Sequence, residues 1–256
     1  MLVRFSLILG LIGGTLLPLS SATPPDVTFL CNKIPEICTN MCWAVRCASP
    51  RFSQELTWDD PSATIEAKRR NSAGCGTVNK CSVKKPGVGY RGDPNISCDE
   101  YPFASTSQSI YPDGKQVSRC VPVAEQNSQG GTLSAAYQRF KKEGSTTTHS
   151  LNIVFGNPDS PGVKYCDNQS CDNDGYEVQD GKLSKRAETP MFTYYTTRSG
   201  LILGSLHSNH SASNFTREVD DGELFGPDFE TWTEVLEGIE MQFVTDTILG
   251  KVDMES

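Results

Sequence analysis

The sequence lacks a hydrophobic run long enough to cross a membrane. Its longest apolar stretch, Phe5–Leu19, is interrupted by three glycines, and a spanning helix needs about 20 consecutive apolar residues. Arg4 precedes this stretch and three small residues follow it, which is the order of a secretory signal. We therefore expect residues 1–22 to be a signal peptide and the mature chain to be secreted, with no membrane partner.

The sequence is also short of positive charge. The net charge of −8 argues by itself against a nucleic-acid partner. Residues 217–256, however, contain twelve acidic and two basic residues, a net of −10 that leaves +2 for the other 216 residues. Residues 66–91 contain seven basic residues and one acid, Glu66. Because the location of charge decides whether a polyanion can approach, this basic segment predicts a surface that tolerates one.

Cysteine, in contrast, is plentiful. All ten cysteines follow the signal, and an even number in a secreted chain predicts disulfides. The alternative is a metal site, because the spacing of Cys38, Cys42 and Cys47 is loosely suited to one. Four Asn-x-Ser/Thr tripeptides predict a glycoprotein; they begin at Asn95, Asn168, Asn209 and Asn214.

The pattern of residues predicts strands around a central hairpin. Residues 95–103 and 116–123 predict two strands joined by a turn at Pro112-Asp113-Gly114. A polar loop at 124–131 and a helix ending at Gly144 should follow, and then a strand within 149–157. Further along, a strand pair is expected within 191–206, and apolar residues from Phe229 to Phe243 predict an acidic amphipathic helix.

The hairpin and the residues after it carry the candidate chemistry. Asp99 and Glu100 follow each other on a strand, so they must point to opposite faces. Asp99 could serve as a general base, and Arg119 on the second strand could contact a phosphate oxygen. The polar loop offers oxygen ligands suited to Mg²⁺, Mn²⁺ or Ca²⁺, and its glycines would let a phosphate approach the backbone. Equally, the polar residues could simply cap the helix that follows.

Two segments, "CDEYPFAST" and "RCVPVAEQNSQGGTLSAAY", strongly resemble the NucA/NucB-type deoxyribonucleases, which are small secreted endonucleases assigned to the ββα-metal superfamily. The resemblance implies an α+β fold with a small ββα-metal core, an antiparallel sheet and disulfide-rich extensions. In this family an aspartate replaces the catalytic histidine of the superfamily, which agrees with the presence of only three histidines, none of them in the hairpin. That aspartate would be Asp99.

The hairpin and the helix entrance supply the other candidate site residues. Asp99 and Glu125 would be catalytic, and Arg119, Gln129 and Gly130 would bind substrate. The metal ligands would be Asp99 and an amide, either Gln126 or Asn127, of which we prefer Asn127. Glu100 and Cys98 would give structural support. An aspartate near its ordinary pKa of about 3.9 is a weak base, so we expect a metal-bound water to do part of the work.

The sequence thus predicts a secreted, divalent-metal-dependent endonuclease that hydrolyses DNA without strong sequence specificity and acts as a monomer. Its predicted divisions are a cysteine-rich extension at 23–74, a nuclease domain at 75–186 and an acidic segment at 187–256. The pair Lys185-Arg186 at the last boundary is either a processing site or a loop, and we hypothesise that the acidic segment modulates the nuclease. The alternative function is a noncatalytic interaction protein or toxin subunit on a nuclease scaffold.

Overall fold

The computed structural model describes residues 24–109, 116–144, 148–186, 190–206, 210, 212–220, 222–236 and 239–254. The predicted signal peptide, the predicted turn at Pro112-Asp113-Gly114 and the glycosylation tripeptide that begins at Asn209 fall wholly or partly outside these residues. Within them, no helix combines the length and the apolar character that a membrane span requires.

The N-terminal part alternates short strands and helices. Its elements are β1 (Val27–Leu30), α1 (Pro35–Cys42), a π-helical turn (Trp43–Cys47), β2 (Glu55–Trp58) and α2 (Ala63–Ser72). Proline at the first position of α1 fits a helix start, because its missing N–H would have no intrahelical partner there. Helix α1 lies among the N-terminal cysteines, and α2 ends two residues before Gly74.

The central part has the predicted order of strand, strand, helix and strand. Its elements are β3 (Ile96–Tyr101), β4 (Val117–Pro122), α3 (Val123–Lys142) and β5 (His149–Gly156). Strands β3 and β4 pair antiparallel, with Asp99 opposite Arg119 and Cys98 opposite Cys120. Residues directly opposite each other share one face of a sheet, so Asp99 and Arg119 lie on one face and the two cysteines on the other.

The prediction of a polar loop at residues 124–131 is wrong, because those residues lie in the first turns of α3. The prediction followed from the two glycines, since a glycine in a helix costs about 1 kcal/mol relative to alanine. At Gly131 the helix packs closely against β12, because a Cβ atom there would lie 3.1 Å from the Met241 sulfur. The helix ends as predicted, with Gly144 at a φ of +89°.

The C-terminal part consists of strands. They are β6 (Val178–Gln179), β7 (Lys182–Leu183), β8 (Thr193–Thr197), β9 (Ile202–Ser205), β10 (Asn214–Glu218), β11 (Thr231–Leu236) and β12 (Ile239–Val252). The strand pair predicted within 191–206 is confirmed. The amphipathic helix predicted from Phe229 to Phe243 is wrong: β11 and β12 pair antiparallel there, with Trp232 opposite Phe243.

The strands form two sheets. The larger has eight strands, in the order β1-β5-β9-β8-β12-β10, with β2 paired to β5 and β11 to β12; the smaller is β3-β4-β6-β7. All pairs are antiparallel except β1 with β5. The fold is therefore mixed α and β, with most of its regular structure in sheets. The assignment to the ββα-metal fold and the division into domains stay predictions.

All ten cysteines form disulfides, as predicted. Three of the bonds fix α1 and the turn after it, and two fix the segment after α2 to the β3–β4 hairpin. The pairs are Cys31–Cys38, Cys42–Cys166, Cys47–Cys171, Cys75–Cys98 and Cys81–Cys120. The main core lies between α1, α3, the hairpin and β5, and it contains the fully buried Trp43, Tyr101 and Phe155.

The topology gives a clear expectation for a chain that ends at Arg186. If the acidic segment only modulated the nuclease, this chain should fold, but it would lack five of the eight strands of the larger sheet. It would also lose the buried Tyr195, Leu203 and Ile248 and expose the edge of β5, which favours aggregation. We expect it to lose cooperative thermal unfolding in circular dichroism, whereas a control ending at Met254 should keep it. A monomeric, cooperatively folded chain of residues 23–186 would contradict this expectation.

Candidate functional site

A cavity of about 620 Å³ opens between α2, β3 and α3. Strand β3 is an edge strand of the smaller sheet, so its side chains border this space directly. The strand contributes Asp99 and Glu100 to the wall, and α2 contributes Glu66 and Arg70. The wall formed by α3 includes Gln126, Asn127, Gln129 and Gly130. The cavity therefore gathers most of the residues that the sequence predicted for the site.

Asp99 borders the cavity although it is only 1% exposed. The Asn40 side-chain amide, on α1, donates a hydrogen bond of 2.8 Å to Asp99 Oδ2. The Gln129 amide also favours the charged form of Asp99, at a geometry short of a full hydrogen bond. Burial raises the pKa of Asp99 to about 7, against the opposing effect of Asn40. Asp99 is thus a stronger base than the sequence analysis expected.

Glu100 points to the opposite face of β3, as predicted. Its Oε1 lies 3.7 Å from Nε of Arg70 on α2. Burial raises the pKa of Glu100 to about 7, and the charge of Arg70 opposes that rise. On the same face, Cys98 forms the disulfide with Cys75, which holds β3 against the segment after α2.

The cavity wall formed by α3 is polar, and part of its hydrogen-bonding capacity is unused. Gln126 Nε2 donates to Gln129 Oε1 at 2.9 Å, while the buried Gln126 Oε1 has no hydrogen-bond partner. Asn127, in contrast, is exposed. A Cβ atom at Gly130 would meet nothing within 4 Å, so the backbone there borders open space. This wall therefore contains a buried, unpaired oxygen at Gln126 and accessible backbone at Gly130.

Glu125 does not line the cavity. Its Oε2 accepts hydrogen bonds from the backbone N–H groups of Glu36, at 2.9 Å, and Ile37, at 3.2 Å. These groups belong to the first turn of α1, where N–H groups have no partner within the helix. The observed contacts favour a capping role, and the catalytic role of Glu125 stays an untested prediction.

Arg119 is not in the cavity wall either. Its side chain is 1% exposed and lies within 3.0 Å of oxygens from Glu36, Asp174 and Glu177. Although burial disfavours its charge, these carboxylates raise the pKa of Arg119 above its usual range. The guanidinium therefore joins α1, β4 and the loop before β6, and phosphate binding by Arg119 has no support from this geometry.

The basic residues of segment 66–91 fall into two groups, those bonded within the protein and those exposed on its surface. Arg69 is paired with Asp59, Arg91 with Glu36, and the Lys80 ammonium donates to the Ser118 carbonyl oxygen. The exposed basic residues of the segment are Lys68, Arg70, Lys84 and Lys85. Of these, Arg70 borders the cavity.

Asn40 is the site residue that sequence reasoning missed. It is fully buried, and its Oδ1 has no hydrogen-bond partner. The available signal was one asparagine within the mostly apolar and cysteine-rich stretch Ile37–Val45, in which Thr39 is the other polar residue. Its partner lies 59 residues away in the sequence, so the contact itself could not be predicted.

The buried carboxyl groups predict how stability depends on pH. Burial raises the pKa of Glu125 to about 7 from its usual 4.5, so the folded chain binds this proton more tightly than the unfolded chain. The unfolding free energy should therefore fall as pH rises from about 5 to 8, with Asp99 and Glu100 acting in the same direction. The midpoint of thermal unfolding should be higher at pH 5.5 than at pH 8.

The variant Glu125→Gln isolates one part of this effect. Its amide oxygen can still accept from α1, but it cannot titrate. Since one pKa unit corresponds to about 1.4 kcal/mol, the pH dependence of the unfolding free energy should decrease by at most about 3 kcal/mol. An unchanged dependence in Glu125→Gln would show that Glu125 does not titrate in this range.

Comparisons with known proteins agree with the motif at β3. The family model described as Deoxyribonuclease NucA/NucB matches residues 41–148. The match includes β3, β4 and α3, and it ends directly before β5. No similar protein was found among curated proteins, and none was found among solved structures. Residues 41–148 are therefore similar to the NucA/NucB-type deoxyribonucleases.

Proposed function

We propose that this protein is a secreted, divalent-metal-dependent endonuclease that hydrolyses DNA phosphodiester bonds without strong sequence specificity. The observation that carries the proposal is the position of Asp99, a buried carboxylate that borders a polar cavity within the family match. Secretion is supported by the five disulfides, because such bonds persist in oxidising compartments.

Asp99 is suited to act as the general base. A base is most effective when its pKa lies near the working pH, and burial brings the pKa of Asp99 to about 7. The Asn40 amide donates a hydrogen bond to Asp99 Oδ2, which limits rotation of the carboxylate. In the proposed reaction Asp99 orients a water molecule for attack on the phosphorus and accepts its proton.

The residues beside Asp99 fit a divalent cation that prefers oxygen ligands. Within the described part of the chain, no three His, Cys, Asp or Glu side chains are grouped to hold an ion. The site would therefore combine Asp99 with amide oxygens, which are ordinary ligands of Mg²⁺, Mn²⁺ and Ca²⁺. When bound, the ion would stabilise the negative charge that develops on the phosphate and on the leaving oxygen.

Two amides remain candidates for the metal. The sequence preference was Asn127, which lines the cavity and is exposed. Gln126 also lines the cavity, and its Oε1 is buried without a hydrogen-bond partner. A buried carbonyl oxygen without a partner is costly unless a ligand or water satisfies it, so this geometry favours Gln126.

The function is tested with supercoiled and linear DNA in the presence of Mg²⁺ or Mn²⁺. We expect the native chain to cut DNA, and a chelator to abolish cleavage until metal is restored. Asp99→Asn should reduce the rate at least about a hundredfold, because positioned proton transfer contributes about 10²–10⁴-fold. The exposed Asp93, outside the cavity wall, provides a matched control: Asp93→Asn should cut at the native rate.

The same titrations separate the two amides. Gln126→Ala should raise the Mg²⁺ concentration for half-maximal activity more than Asn127→Ala, and the reverse order would restore the preference for Asn127. A native chain that folds but cuts no DNA under any metal would remove the enzymatic proposal. That result would leave the noncatalytic interaction protein as the better interpretation.

Asn40 should affect cleavage through Asp99. Asn40→Ala removes the donor to Oδ2, so we expect a loss of about tenfold or more in kcat, with KM for DNA unchanged. Thr39→Ala is the control, because Thr39 is a buried polar neighbour whose hydroxyl donates instead to the Pro35 carbonyl oxygen. In the Asp99→Asn background the Asn40 substitution should cause no further loss, and additive losses would show that Asn40 acts independently of Asp99.

A further inference from the structure

Two adjacent arginines of α2 have different environments. Arg69 points inward, where its two terminal nitrogens lie 2.8 and 2.7 Å from the Asp59 oxygens. It also donates to the Ala104 carbonyl oxygen at 3.1 Å. Arg70 points into the cavity, and its side chain is 51% exposed. Arg69 is therefore structural, and Arg70 is accessible to a ligand.

Arg70 is oriented but not saturated by its neighbours. Its closest approaches to Glu66 and Glu100 are 3.5 and 3.7 Å. These distances exceed those of the hydrogen-bonded ion pairs made by Arg69. A guanidinium carries five N–H donors in a fixed plane, so the two loose contacts leave donors available. Those donors face the same cavity as Asp99.

The charges of the cavity wall require a cationic group for an anionic substrate. The wall contains three acids, Glu66, Asp99 and Glu100. Among the described residues that line it, Arg70 is the only lysine or arginine. A phosphodiester entering this space would be repelled by the acids unless a cation meets it. Arginine suits that task, because its planar donors match two phosphate oxygens at once.

We propose that Arg70 binds a phosphate group of the DNA strand in this cavity and that Glu100 positions its guanidinium. The proposal rests on the proposed function and names the substrate contact of that same site. Strand alternation then gives the two neighbouring acids separate tasks: Asp99 faces the reacting water, and Glu100 holds the arginine that meets the phosphate. Arg70 takes the role that the sequence analysis gave to Arg119.

The test compares the native chain with Arg70→Gln, Arg70→Lys and Lys68→Gln. Lys68 is exposed on the same helix but lies outside the cavity wall, so its substitution removes an equal charge without the proposed contact. Cleavage of a defined duplex gives kcat and KM. Fluorescence anisotropy of the same duplex, measured with Asp99→Asn proteins in chelator, gives affinity without cleavage.

We expect Arg70→Gln to lower both kcat/KM and DNA affinity about 10- to 100-fold, the range typical of a lost charged hydrogen bond. Arg70→Lys should recover part of the loss. The slope of log affinity against log salt should decrease by about 0.9, the value for one phosphate contact. Lys68→Gln should stay within about twofold in every measurement. Glu100→Gln should weaken DNA binding in the protein that keeps Arg70. It should cause no further loss of binding in the protein that carries Arg70→Gln.

The outcomes distinguish this inference from the proposed function. Suppose that the native chain cuts DNA and that Arg70→Gln has the kcat/KM and the DNA affinity of the native chain or of Lys68→Gln. The inference is then overturned and the nuclease function stands. If the native chain binds DNA through Arg70 but does not cut it, the contact stands and hydrolysis is overturned. If the native chain shows no DNA affinity, both are overturned.

Discussion

One buried guanidinium determines how the parts of this protein meet. Arg119, in the middle of β4, has carboxylate partners on α1 and in the loop before β6. A buried charge is costly unless it is paired and hydrogen-bonded, so Glu36, Asp174 and Glu177 must come to it. Although burial opposes ionisation, the bonds to Arg119 lower the pKa of Asp174 to about 2. This cluster places α1 against the hairpin, which brings Asn40 to Asp99.

The site depends on the two faces of β3 being supported separately. The face of Asp99 is covered by α1, and the face of Cys98 is covered by the segment after α2, to which a disulfide joins it. Glu125, at the start of α3, accepts from the first turn of α1 and so connects the two helices behind the cavity. Glu125 and Arg119, to which the sequence analysis assigned chemical roles, thus hold the elements around the cavity in place.

The sequence predicted the hairpin strands, the helix after them and the placement of Asp99 on the first strand, because each depends on local signals. That all ten cysteines pair was predicted from their even number, which says nothing of their partners. The roles of Arg119, Glu125 and Asn40 depend on partners distant in sequence, which no local pattern reveals. From Phe229 to Phe243 the apolar spacing suits a helix, yet β11 pairs with β12, and β12 pairs with β10 and β8. At α3 the two glycines suggested a loop, yet both lie within the helix, where Gly131 packs closely against Met241.

The disulfide connectivity sets when the site can exist. Asn40 lies on α1 between Cys38 and Cys42, and the bonds Cys42–Cys166 and Cys47–Cys171 join this region to residues more than a hundred positions later. A nascent chain must therefore extend to Cys171 before both bonds can form. In a reducing compartment such bonds do not persist, so this covalent hold on α1 is absent there. The connectivity therefore makes the covalent support of α1, and with it the contact between Asn40 and Asp99, a property of the oxidised chain.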